Sequence, residues 1–219
     1  MKKSILALSM FVLTGIVLLI SSCSKDDTAP FITLLGVDPV TVTLNSSYSD
    51  AGATADDDKD GTVDVTDDVS STNPDVNVAG TYTIHYQAQD KESNIATETR
   101  TVYVVNSQDA MTGAYTVADT CGSQIFAYPQ TISTSTTVNN RILFDKFANY
   151  INNTGIYANV TGNVIDLPSQ TKTGIGGLSE SHTFSGTGYK FANGFFLQYT
   201  DVNNSQGGAS ATCNAWFTN

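Results

Sequence analysis

Gly80-Thr81-Tyr82-Thr83-Ile84-His85-Tyr86-Gln87-Ala88, the polar stretch Asp90-Lys91-Glu92-Ser93-Asn94, and the run from Ile95 to Val105 read together as two strands joined by a turn. Tyr82, Ile84, Tyr86 and Ala88 alternate with Thr81, Thr83, His85 and Gln87. That period of two puts successive side chains on opposite faces of a sheet. Asp, Ser and Asn in the break favour a turn, and the Thr- and Val-rich return suits a pleated surface. Upstream, Phe31 to Leu35 is a short apolar run, and Val40, Val42 and Leu44 alternate with Thr41 and Thr43. Helical periodicity is absent, so short strands with turn signals between them predict an all-β chain that begins with a small sandwich.

Beyond a polar break at Asn106 to Thr112, eight further runs qualify as strands. They are Gly113 to Val117, Tyr128 to Ser133, Arg141 to Phe144, Gly155 to Thr161, Asn163 to Leu167, His182 to Gly186, Gly194 to Tyr199 and Thr212 to Phe217. Phe144 to Tyr150 has room for one helical turn before Asn152-Asn153 ends it. Gly, Ser, Thr and Asn between the runs favour an up-and-down meander, hence a small antiparallel barrel or sandwich over 113–219.

The N-terminus carries an address. Lys2 and Lys3 precede a largely apolar stretch from Ile5 to Ile20, too short and wrongly flanked for a membrane span and suited to a signal h-region. It ends in Ile20-Ser21-Ser22-Cys23, which resembles the lipobox of bacterial lipoproteins; that resemblance implies a signal peptide over 1–22 and a lipid on Cys23. Ser24-Lys25-Asp26-Asp27 resembles the acidic export signal of Bacteroidetes lipoproteins and implies display on the outer face of the outer membrane, with periplasmic retention as the alternative. Residues 23–29 then form a tether.

Without residues 1–22 the chain has 197 residues, enough for one large or two small domains, with eight basic and 21 acidic residues and a net charge of −13. Such a charge argues against nucleic acid and against anionic membrane surfaces, which require Lys and Arg to neutralise phosphate. With Cys23 committed to lipid, Cys121 and Cys213 are an even pair in an exported protein and read as a disulfide.

Residues 30–105 resemble the bacterial immunoglobulin-like domains of surface lipoproteins and some insecticidal toxins. The matching residues are Pro30 to Leu34, Asp50-Ala51-Gly52-Ala53-Thr54-Ala55, Asp60-Gly61, Gly80 to Tyr86, Asp90, Asn94, Ala96 and Arg100-Thr101-Val102-Tyr103-Val104. The resemblance implies an Ig-like sandwich over 30–106 and a spacer or binding role, not catalysis. The second half is similar to domains that follow such modules in Bacteroidetes lipoproteins, often beside nutrient-uptake systems of the starch-utilisation type. It shares Gly113-x-Tyr115, Cys121, Ile165 with Pro168-Ser169-Gln170, Phe184-x-Gly186-x-Gly188 and a cysteine in the final strand.

Few residues suggest chemistry. Asp56, Asp58 and Asp60 precede Gly61, with Asp64 and Asp67 beyond. Two readings stand: a solvated acidic loop, or a calcium loop in which closely spaced oxygens surround a hard cation and the glycine lets the chain turn. Calcium is the one cofactor the sequence suggests. His85 and His182 read as surface histidines, in different halves and without zinc-ligand spacing. No spacing pairs Asp119, Asp145, Asp166, Glu180 and Asp201, and no nucleophile elbow or phosphate loop is present, so no catalytic residue is assigned. Alternation puts Trp216 opposite Cys213, Ala215 and Phe217. It faces outward as a platform for a sugar ring if the cysteines face in, and packs inside if they lie at the rim.

The expectation is therefore a non-catalytic binding module held on the outer membrane by lipid, taking a glycan or another nutrient and contacting outer-membrane protein partners. The alternative is a structural or adhesive surface protein with the Ig-like domain as spacer; a hydrolase or inhibitor is a third and weaker reading. The address is directly testable: a Cys23→Ala chain is expected to leave the membrane fraction on cell fractionation, and its continued sedimentation with membranes would refute lipid anchoring.

Overall fold

The computed structural model describes residues 25–67, 73–150, 153–175 and 180–219; Cys23 and the expected signal segment lie outside them. Strand β1 (Phe31–Leu34), β3 (Ala53–Asp57) and β4 (Gly61–Val63) form one antiparallel sheet. A second sheet has the order β2 (Val40–Thr43), β7 (Ile95–Val105), β6 (Gly80–Gln89) and β5 (Val65–Asp67), with β2 parallel to β7. The alternation seen along 80–105 is the β6–β7 hairpin, and its inward residues Ile84, Tyr86, Ala88, Val102 and Val104 meet Ile32, Val42, Leu44 and Ala55 in the sandwich core.

One charged residue enters that core. Arg100 is 1% exposed, and its guanidinium donates to the Asp50 carboxylate, Tyr86 Oη, and the carbonyls of Leu35 and Gly52. Burial alone would raise the Asp50 carboxyl. Hydrogen bonds from Tyr86, Arg100 and Tyr48 outweigh it and hold the group below its usual range. The lock ties the chain after β1 to the long hairpin.

The second half is a closed antiparallel barrel of eight strands. They are β8 (Gly113–Cys121), β9 (Gln124–Thr134), β10 (Arg141–Phe144), β11 (Ile156–Thr161), β12 (Val164–Ile175), β13 (Glu180–Phe191), β14 (Gly194–Asn203) and β15 (Ala209–Thr218). Each pairs with the next, and β15 closes on β8 from Cys213 opposite Cys121 to Thr218 opposite Thr116. The meander expected from sequence is thus a barrel, and no α-helix occurs among the described residues. A barrel of this size has room only for its own side chains. Phe144, Phe147, Phe184, Phe195 and Phe217 fill it, each at most 1% exposed. Gly186 and Gly188 allow β14 to approach, since a Cβ there would lie 2.2 and 1.9 Å from the carbonyl oxygens of Gln198 and Phe196.

The two halves meet at one end of each. Asn106 is buried; its Nδ2 donates to the carbonyls of Ser135 and Val138 at 2.9 and 3.0 Å, while Oδ1 accepts from the amides of Gln108 and Asn140. Ala79 N donates to Thr136 O, Asn139 N donates to Asn45 Oδ1, and Asn45 Nδ2 donates to Thr137 O. The β9–β10 loop of the barrel therefore seats against the sandwich, and the polar break is a fixed elbow. Asp26 lies at the other end of the sandwich, where Asn94 Nδ2 of the β6–β7 turn donates to its carbonyl. The barrel end bearing residues 121–124, 145–150 and 204–208 faces away from the junction.

Cys121 and Cys213 form the disulfide expected from the cysteine count, across the seam between the first and last barrel strands. Its 92-residue separation implies about 4–5 kcal/mol of loop-closure stabilisation. A Cys121→Ser, Cys213→Ser chain should lose about 3–5 kcal/mol against denaturant. Equal stability with and without the bond would contradict that role.

Candidate functional site

Register aligns side chains across the outer wall of the barrel. Val164 is opposite Tyr189, Tyr189 opposite Phe196, Phe196 opposite Trp216, and Trp216 opposite Ala118, which faces Ala127. The row crosses six strands. Val164, Tyr189 and Trp216 are 57%, 48% and 44% exposed. Ring centroids lie 5.3 Å apart for Tyr189 and Phe196 and 4.5 Å for Phe196 and Trp216, with Phe191 6.0 Å from the indole. Ala118 and Ala127 leave an open shelf beside the indole.

Two residues further along each strand, about 7 Å away at ordinary strand rise, runs a polar row: Asp166, Thr187, Gln198, Asn214 and Thr120 are opposite one another in turn. Gln198 Nε2 donates to Asn214 Oδ1 at 3.0 Å. Aromatic faces beside amides, hydroxyls and a carboxylate can stack on C–H surface while exchanging hydrogen bonds with hydroxyl groups. An open apolar patch with a polar margin is the usual mark of an interaction surface.

The free mouth of the barrel holds a second group. Asp119 and Asp201 both line a cavity of about 240 Å³ with Tyr150, Tyr199, Gln124 and Phe126. They meet because β8 and β14 both flank β15. Tyr199 and Tyr128 donate to Asp119 Oδ2 at 2.6 and 3.3 Å, while Oδ1 is buried with no hydrogen-bond partner. Burial drives the Asp119 carboxyl upward; the tyrosine hydrogen bonds only partly offset it, and Asp201 adds repulsion. Tyr150 donates to Asp201 Oδ2 at 2.8 Å, and Ala148 and Asn149 just before it line the same cavity in left-handed backbone conformations. His182 spans two carboxylates, with Nδ1 2.6 Å from Asp201 Oδ1 and Nε2 3.1 Å from Glu180 Oε2. Burial disfavours its imidazolium, but hydrogen bonds to Asp201 and Glu180 prevail and raise its pKa. A hollow of about 570 Å³ lies beside β2 in the sandwich, and its one charged lining residue, Arg100, is held by Asp50.

Trp216 faces out while Cys213, Ala215 and Phe217 are buried. His182 corrects the sequence reading: it is 3% exposed, because alternation with Phe184 points it inward where Asp201 and Glu180 accept its protons. Inward alternation with Phe184 was the available signal. Nothing in the spacing could bring Asp119 to Asp201, because that contact needs the barrel to close.

The acidic loop is a tight β3–β4 hairpin, and the aspartates whose side chains are described, Asp56, Asp58, Asp60 and Asp64, do not form one cluster. Asp56 points outward and accepts from Thr62 Oγ1, Asp60 is paired with Lys91, and Asp64 lies between β4 and β5. Asp67 ends β5, and its side chain lies outside the described set. Asp58 alone joins a group of acids, with Asp57 and Asp26.

Residues 32–104 match the family model for the Ig-like domain of bacterial surface proteins. The chain is also similar to the crystal structure of a lipoprotein from Bacteroides thetaiotaomicron, at 16% identity over 87% of this chain and 100% of that one, with a TM-score of 0.36. No curated protein matches the chain.

The mouth cluster makes stability depend on pH. A histidine with a raised folded pKa stabilises fully below its unfolded value, about 6.5, and that contribution is lost as pH rises through the folded value. Asp119, also raised, acts in the same direction from its unfolded value upward. The melting temperature should therefore fall as pH rises through and above neutrality, and His182→Gln should flatten the decline. An unchanged slope in that variant would separate His182 from the effect.

Proposed function

We propose that the chain is a surface-anchored, non-catalytic lipoprotein that captures glycan on the outer wall of its barrel. The observation that carries this reading is the registered aromatic row of Tyr189, Phe196 and Trp216 beside the polar row of Thr187, Gln198 and Asn214. Below its mouth the barrel interior is packed with its own side chains, which favours binding outside it. An open wall suits an extended saccharide chain better than an enclosed small molecule. The match of residues 32–104 to the surface Ig-like model agrees with a display module behind the barrel. The Ile20-Ser21-Ser22-Cys23 sequence supports the lipid anchor, and Ser24-Lys25-Asp26-Asp27 supports export to the outer membrane surface.

A second reading rests on Asp119 and Asp201, which share one cavity. A carboxyl of raised pKa beside another carboxyl is the kind of pairing glycoside hydrolysis uses.

The test is a glycan array and polysaccharide pull-down on the detergent-solubilised full chain, followed by titration of the best binder. Trp216→Ala and Tyr189→Ala are each expected to weaken binding by roughly tenfold or more, the cost of losing an aromatic anchor, while Asp119→Asn binds normally. Release of reducing sugar that Asp119→Asn abolishes would favour hydrolysis. Binding to no glycan would sink the capture reading and leave an adhesive surface protein.

A further inference from the structure

We infer that the tether-side end of the Ig-like domain is a calcium site, built by Asp26, Asp57, Asp58, Asp90 and Glu92. The inference is independent of the barrel and of what it binds. One carboxylate oxygen from each of Asp26, Asp57 and Asp58 lies within 4.8 Å of the others, and the same holds for Asp26, Asp90 and Glu92. Asp26 is common to both trios, so three chain segments converge on it: the tether, the β3–β4 turn and the β6–β7 turn.

Crowded acids alone need no ion. The decisive feature is that two of them are buried and incompletely satisfied. Asp26 is 3% exposed; its Oδ1 accepts from Thr28 N at 3.0 Å and pairs with Lys59 Nζ at 2.9 Å, while Oδ2 has no partner. Asp57 is 8% exposed; its Oδ1 accepts from the amides of Lys59 and Asp60, both at 2.9 Å, while Oδ2 has no partner. A buried carboxylate oxygen without a partner is costly, more so when charged. A cation held between Asp26 and Asp57 would supply a partner that the fold does not.

The donor chemistry selects the ion. All five side chains offer oxygen only, the preference of hard cations, and flexible carboxylates of mixed exposure suit the six to eight ligands that calcium accepts. Among the described residues, Lys59 is the one ammonium paired with the cluster, through Asp26, and supplies a single charge against five acids; Lys25 is held by Asp27 and Lys91 by Asp60. Asp26 is three residues beyond Cys23. Calcium there would fasten the first residues after the anchor cysteine to two turns of the domain and stiffen its mounting.

The test strips the purified full chain with chelator and titrates it with calcium, following terbium displacement and thermal unfolding. One calcium per chain is expected, with a midpoint on the order of 0.1–1 mM, the range of extracellular modules, and a rise in melting temperature of about 3–8 °C at saturation. Asp57→Asn with Asp90→Asn should abolish both signals. Lys59→Gln, which removes the competing ammonium without touching a ligand, should lower the midpoint several-fold, a gain that misfolding cannot imitate. Asp64→Asn, outside the cluster, should behave as the unmodified chain. Absence of binding, an unchanged response in the double variant, or an equal loss in Asp64→Asn would overturn the site.

Discussion

The pairing of β15 with β8 is the constraint on which the barrel depends. It joins the first and last strands of a meander, so it brings the most distant parts of that half together, and inside and outside are defined only once it forms. A slip of one residue would turn Trp216 inward and Phe217 outward, because side chains alternate at every step. The Cys121–Cys213 bond sits on that seam and pins its register. Registers of β12 to β15 then follow strand by strand, so the alignment of Tyr189, Phe196 and Trp216 is a consequence of closure.

The whole chain is laid out head to tail. Asp26 lies at one end of the sandwich, the Asn106 elbow at the other, and the barrel mouth beyond it. Since Asn106 satisfies four backbone groups through one side chain, the elbow is held by directional bonds that fix orientation. The aromatic row lies on the flank of the barrel, and the Asp119–His182 cluster lies at the mouth, away from the junction.

Much of this was legible in the sequence, for identifiable reasons. The 80–105 hairpin and the eight barrel runs show the period of two because each strand has one face in a core. The outward placement of Trp216 followed from the same alternation once the cysteines faced in. The β3–β4 hairpin was not legible: both strands are short and its acids masked the alternation, so the spacing picks out Asp56 as a candidate ligand and passes over Asp57, although Asp56 is exposed and Asp57 buried. His182 and the acids of the mouth escaped for a different reason. Their partners are supplied by strands that only closure makes neighbours.

Buried charged groups differ in how fully the fold satisfies them. In the sandwich core, Arg100 and Asp50 answer each other, and Tyr86 and two carbonyls accept further guanidinium protons, so that only Nε is left without a partner. At Asp26, Asp57 and Asp119 the carboxylates are as deeply placed, yet each keeps an oxygen that nothing in the fold satisfies. A fold that could bury these groups fully paired would gain stability by doing so. Leaving such oxygens unpaired lowers stability at the tether-side end of the sandwich and at the mouth of the barrel alike.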